Sequence, residues 1–156
     1  MQVFWYQFAV AVMLCAAVVV GTTAFHYEAL RWLAPGSRQK RAGRASVPVT
    51  LFLLICVHLV EIGAYAFVYA AATEVFGVGG FAGAREMRPL DYFYYAAETY
   101  SSLGYGDIFP IGELRLIASI SPLNGILLLA WSGSFLFALV QHSHSLETDE
   151  TDGGKA

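Results

Sequence analysis

The sequence predicts an all-α membrane protein with three transmembrane helices and one short re-entrant helix and loop ahead of the last of them. Three observations carry that expectation. Of the 156 residues, 57% are hydrophobic and 13% charged, with a mean hydropathy of +0.56, whereas a soluble domain carries about 25% charge. The apolar residues are gathered into three runs, each reaching the roughly 20 residues that a bilayer crossing needs. Between the second and third runs lies Ser101-Ser102-Leu103-Gly104-Tyr105-Gly106-Asp107, a Gly-Tyr-Gly loop preceded by an aromatic segment too short to span. The length leaves room for one domain, and a net charge of −3 gives no argument for nucleic acid.

The first run extends from about Val3 to Ala24, and a helix is expected over residues 1–26. A signal peptide would carry basic residues before a shorter apolar stretch; here the positive charge follows instead, so an uncleaved helix is expected. Five of the nine Lys and Arg residues come next, namely Arg31, Arg38, Lys40, Arg41 and Arg44. Basic linkers stay in the cytoplasm. The 27–46 segment is therefore placed inside a cell (plasma or inner) membrane, with the N-terminus outside, the Ser101–Asp107 loop outside and the C-terminus inside. Arg38, Lys40, Arg41 and Arg44 could also bind anionic lipid heads, although a topology signal alone explains them.

The second run covers about Val47 to Ala72 and the third about Leu114 to Val140. Valine, leucine and alanine without period-2 alternation favour helices over barrel strands. Cys15 and Cys56 lie inside these apolar runs and read as packed thiols. The outer segment opens with a Gly-rich stretch from Gly77 to Gly83, expected to be flexible. Its acids Glu74, Glu86, Asp91, Glu98, Asp107 and Glu113 outnumber Arg85 and Arg88; they either focus a cation-attracting field or supply ordinary loop polarity. The 142–156 tail is acidic and expected to be disordered.

Pro89-Leu90-Asp91 resembles a helix start with Asp91 as the N-cap, which predicts a short helix over 91–102. Such a segment must dip into the membrane and return, a course tolerated only inside protein or beside water. If it enters from outside, its C-terminal end faces the membrane centre, where the partial negative charge favours a cation. Tyr92, Phe93, Tyr94, Tyr95 and Tyr100 form either a collar around the following loop or an interfacial anchor. In a membrane loop, Gly-Tyr-Gly can run extended with its carbonyls turned one way, and rings of carbonyls replace the water shell of a monovalent cation.

Glu98-Thr-Tyr-Ser-Ser-Leu-Gly-Tyr-Gly-Asp-Ile-Phe-Pro110 between two spans resembles the pore unit of two-helix potassium channels, whose usual filter reads Thr-Val-Gly-Tyr-Gly. It is similar also to short bacterial relatives with an extra leading helix. The resemblance covers about Val47 to Val140 and implies a pore domain over 47–141 with a filter at 102–106. It implies K+ bound by Ser102, Leu103, Gly104 and Tyr105, with a Ser102 hydroxyl at the innermost site, Gly106 turning the chain out, and Tyr105 packed outward. Tyr94, Tyr95 and Ser101 would support the filter. Glu98 and Asp107 match a carboxylate pair behind the filter of some small channels, where one holds a proton; two separately solvated acids are the alternative.

Two filter residues depart from the usual form. Ser102 keeps the hydroxyl of threonine without its β-branch, and Leu103 replaces valine, so tight preference for potassium over sodium is not assured. Restoring threonine and valine is expected to preserve conduction. Elsewhere, His58 and Glu61 share a face of the second span; they are either a functional intramembrane pair or a structural contact. Pro122 and Gly125 in the third span could form a gating hinge or permit close helix approach. Asn124 and Trp131 could hydrogen-bond between helices. His142 and His144 titrate near physiological pH but read as solvated tail residues.

One loop per chain supplies a quarter of a ring, so a homotetramer conducting K+ passively is expected. The alternatives are a weakly selective cation channel and a non-conducting membrane subunit for assembly or sensing. Serine, histidine and acids are scattered across both sides of the bilayer, so no enzyme and no organic cofactor are expected.

Overall fold

The structure is a computed structural model that describes residues 2–34, 46–83 and 86–153. Arg38, Lys40, Arg41, Arg44 and Arg85 lie outside the described residues. Helix α1 spans Gln2–Leu33 and α2 spans Ser46–Ala70, continuing into a π-helical turn at Ala71–Val75. Strand β1 (Gly80–Ala82), helix α3 (Pro89–Tyr100), strand β2 (Phe109–Ile111) and helix α4 (Leu114–Gly153) follow. Among the described residues, three helices are long and apolar enough to cross a membrane, over Gln2–Leu33, Val47–Val75 and Leu114–Gln141, with mean hydropathies of 2.3, 2.2 and 1.9 in their most apolar stretches.

The bundle turns large apolar side chains outward, as a lipid-facing protein does, and buries several polar ones between its helices. Val3, Met13, Phe52, Phe67, Leu127 and Phe137 are exposed, while Thr22, His26, Glu61, Asn124 and Ser132 are buried. The centre is aromatic: Tyr65, Tyr69, Tyr95 and Tyr100 are buried against Ala11, Val18, Leu114 and Ile117. Asn124 joins three helices, donating from Nδ2 to Thr22 Oγ1 at 2.8 Å and to the Tyr65 hydroxyl at 3.0 Å. Trp131 packs its ring beside His26 and Tyr27, with centroids 5.6 and 6.2 Å away.

Two helix boundaries near the site differ from the sequence reading. Helix α1 runs seven residues past 26, because His26, buried among polar partners, interrupts the hydropathy but not the helix. The re-entrant helix starts earlier, with Arg88 rather than Asp91 at the N-cap. Pro89 suits the first helical turn, where its missing N–H costs nothing. Asp91 instead occupies the third helical position and accepts from the Arg88 amide at 2.9 Å; the hydrogen bonds from Arg88 hold its carboxyl below the usual carboxylate range.

The Gly-rich segment is not a loose linker. Gly80, Phe81 and Ala82 pair antiparallel with Ile111, Pro110 and Phe109. Gly79 and Gly83 have φ of +80° and +98°, and a Cβ on them would run into the backbone carbonyls of Ile111 and Asp107. Those glycines serve close backbone approach. At the other end of the chain, α4 carries helical backbone through Gly153, where the composition predicts disorder. Propagating an existing helix costs much less than nucleating one.

Candidate functional site: a re-entrant helix and its loop

Helix α3 has 12 residues, about 18 Å at 1.5 Å per residue, so it cannot cross a bilayer. It packs between α2 and α4 by burying Tyr92, Tyr95, Ala96, Glu98 and Tyr100. Tyr95 meets Tyr69 and Phe81 edge-on, with centroids 5.1 and 4.7 Å apart. Tyr92 donates to Glu74 at 2.7 Å, tying the start of α3 to the π-helical turn. The aromatic density therefore fastens α3 to the bundle in addition to any interfacial role.

The chain leaves α3 through a tight turn. The Ser102 amide donates to the Thr99 carbonyl at 3.1 Å, and the Leu103 and Gly104 amides both donate to the Glu98 carbonyl, at 2.8 and 3.2 Å. Three successive amides thus point back to the helix. Ser102, Gly104 and Gly106 have φ of 61°, 57° and 77°, the left-handed region that L side chains resist. Residues 101–107 are all exposed in the single chain.

Glu98 and Asp107 both brace this loop, each on its own partner. Glu98 is 4% exposed and accepts from the Tyr105 amide at 3.1 Å. Burial pushes its carboxyl up, the Tyr105 amide opposes that shift, and the charge of Asp107 adds to it. Asp107 accepts from the Tyr94 hydroxyl, 3.2 Å from both oxygens. The Tyr94 and Tyr105 rings stack at 6.3 Å with 3° between planes. Ser101 turns its hydroxyl onto the Ala97 carbonyl at 2.7 Å, so it closes the helix end.

Pro122 and Gly125 lie close to the loop. Pro122 lines a groove of about 350 Å³ together with Tyr95, Glu98, Thr99, Ser102 and Gly106. A Cβ on Gly125 would strike the Tyr100 carbonyl oxygen and lie 3.0 Å from its carbon. Gly125 is thus where α4 passes against the end of α3, the close-approach reading of that glycine.

His58 and Glu61 do meet, at 2.9 Å, within a larger cluster. His26 of α1, Tyr100 of α3 and Ser132 of α4 join them. The sequence reading missed His26 because it ended the first span at Ala24. An ionisable residue continuing an apolar run was the available signal.

A helix that enters between two spans, turns on glycines and returns as an exposed loop defines the pore unit of an ion channel. Residues 53–142, more than half of the chain, match the family described as "Ion channel", and the chain belongs to that family. Over 94 residues it is 31% identical to the "Inward rectifier potassium channel Kirbac3.1" of Paramagnetospirillum magnetotacticum, a match covering 60% of this chain and 30% of that protein. The chain thus spans under a third of the length of that relative. No solved structure matches it.

Proposed function

We propose that the protein is a passive potassium-selective channel whose filter is built by the loop after α3. The observation that carries this reading is the direction of the loop's amides. Those of Ser102, Leu103 and Gly104 turn back onto α3 and that of Tyr105 onto Glu98; in this reading the carbonyls of Ser102, Leu103, Gly104 and Tyr105 face the ion. Dehydrated K+ needs such a ring of carbonyls. One chain provides one strand, so the working form is a homotetramer with α4 nearest the axis, and the exposed faces of Leu103 and Tyr105 are covered by neighbouring subunits. Four closed copies satisfy the ring symmetry.

In this reading Gly106 turns the chain out of the filter. Glu98, Asp107, Tyr94, Tyr95 and Ser101 hold it in place, and the N-terminus and filter mouth face outward while the C-terminus lies in the cytoplasm. Arg38, Lys40, Arg41 and Arg44 would meet anionic lipid heads on the cytoplasmic side. The relative's printed name, a potassium channel, supports K+ as the cargo. Ser102 and Leu103 favour a second reading, a weakly selective cation channel, because both filter positions lack a β-branched side chain.

Purified protein in liposomes tests these readings together. K+ efflux abolished by Gly104→Ala is expected, since alanine at φ of 57° costs about 1–2 kcal/mol in backbone conformation at a point where the carbonyl must face the ion. Reversal potentials in mixed K+ and Na+ separate tight from weak selectivity. No cation flux under any condition would instead support the non-conducting subunit.

A further inference from the structure

The polar cluster behind α3 has an unusual hydrogen-bond count. Glu61 Oε1 lies 2.8 Å from His26 Nδ1, while Glu61 Oε2 lies 2.9 Å from His58 Nδ1 and 2.6 Å from the Tyr100 hydroxyl. The Tyr100 oxygen is itself 2.9 Å from His58 Nδ1. On the far side of both rings, Ser132 Oγ is 3.0 Å from His58 Nε2 and 3.3 Å from His26 Nε2. The side chains of His26 and Glu61 are fully buried, and that of His58 is 11% exposed.

A neutral imidazole carries one ring proton. With Glu61 ionised and both rings neutral, the two rings, Tyr100 and Ser132 offer four protons, one each, to the six contacts that link carboxylate, rings and hydroxyls, and even a His58 Nδ1 proton shared between Glu61 and Tyr100 leaves one contact without a proton. Whichever tautomers are drawn, at least one contact of 3.3 Å or less sets lone pair against lone pair. Such a contact is costly in a buried site. The cluster is complete only with one more positive charge among these atoms.

We propose that this charge is a divalent transition-metal ion of the zinc class, bound by His26 Nδ1, His58 Nδ1 and a Glu61 oxygen. Two imidazoles and a carboxylate are a zinc ligand set, with a fourth position left for water. The ligand atoms all lie within 4.8 Å of one another. Bonds of about 2.1 Å place tetrahedral neighbours about 3.4 Å apart, so the contact of a histidine with the ligating Glu61 oxygen, now 2.8 or 2.9 Å, must widen by about half an ångström, within reach of side-chain rotation.

Both rings would then carry their protons on Nε2 and donate to the single Ser132 oxygen, which has two lone pairs. Ligating histidines need such an outer acceptor. Tyr100 donates to Glu61 and needs no change. Tyr100 is also the last residue of α3, whose end carries about half a negative charge; this offsets the surplus charge of a divalent ion beside one carboxylate. The site differs from the filter in kind. Imidazole donors suit transition ions, whereas alkali ions take oxygens. An ion there would pin α1, α2 and the base of the filter helix to one another.

The test uses the untagged full chain in detergent, stripped with a chelator. His142→Gln and His144→Gln are introduced first, since the chain has four histidines and these two could bind metal in the tail. Titration with Co2+ should give the intense visible bands of a four-coordinate ion at one equivalent per chain, displaced by Zn2+, and Zn2+ should raise Tm. His26→Gln and His58→Gln should each abolish the bands, and Ser132→Ala should keep them with 10–100-fold weaker binding. The proposal is overturned if the parent binds neither ion stoichiometrically. It is equally overturned if the bands survive the double replacement of His26 and His58. A variant that fails to fold leaves the parent titration and Ser132→Ala to decide.

Discussion

Replacing Gly125 with alanine separates two roles for that residue by the sign of the effect. An added Cβ falls within contact of the Tyr100 carbonyl oxygen, 3.0 Å from the carbonyl carbon and 3.1 Å from the ring Cγ. The oxygen belongs to backbone, so no rotamer change removes it. Atom pairs prefer about 3.5–4.0 Å, so α4 and the end of α3 must separate by on the order of 1 Å. Overpacking of this kind costs about 1–3 kcal/mol. The Tyr100 hydroxyl sits 2.6 Å from Glu61, and a bond to a carboxylate contributes about 1.5–3 kcal/mol; displacing Tyr100 puts part of that at risk as well. The expected loss is therefore about 2–5 kcal/mol, with reduced K+ flux because Tyr100 directly precedes the loop proposed as the filter. A hinge glycine in a helix predicts the reverse, a gain of about 0.4–1 kcal/mol from lower chain entropy. Denaturant unfolding in detergent, run beside a liposome flux assay, reads both. A Gly125→Ala chain as stable as its parent, changed only in gating, would refute the close-approach reading.

Two further outcomes follow from the loop's bracing. Glu98→Gln keeps an oxygen for the Tyr105 amide and should retain flux, whereas Glu98→Ala leaves that amide unpaired, costs about 1–3 kcal/mol and should lose flux; equal behaviour in liposomes would remove Glu98 from the filter's support. Ser102 sits at φ of 61°, where a β-branched residue is an outlier, so Ser102→Thr should destabilise and lower flux while Ser102→Gly folds as well as the parent; a Thr variant with full stability and flux would contradict this backbone.

The spans and the re-entrant helix were legible because each is a long-range composition signal or a dense local motif. The Gly104–Gly106 turn was legible for the second reason. What the sequence could not show depends on which elements meet. The Gly77–Gly83 stretch reads as loose until β2 is brought beside it, when Gly79 and Gly83 become positions where no side chain fits. Gly125 reads equally as hinge or contact until Tyr100 is placed against it. The expectation that Thr at position 102 preserves conduction takes no account of the backbone angle there, φ of 61°, which the residue type alone does not disclose. The motif suggests Glu98 and Asp107 as a pair, but their hydrogen-bond partners, a backbone amide and a tyrosine, come from the fold of the loop.

The same contacts give the first helix a role that a pore unit of two spans and a loop does not contain. Helix α1 lies outside the 53–142 family match, yet it supplies Thr22 to Asn124 of α4 and His26 to Glu61 of α2. Both partners are buried, and a buried carboxylate without its partners is strongly destabilising. Glu61 in turn holds Tyr100, the last residue of α3. The chain of contacts therefore runs from α1 through α2 to the end of α3, and α1 is packed against the matched unit by polar groups that cannot face lipid. An apolar helix held only by dispersion could slide or rotate against its neighbours. One tied by the Thr22–Asn124 and His26–Glu61 bonds has a fixed register, which fixes the position of α3 and of the loop that follows it.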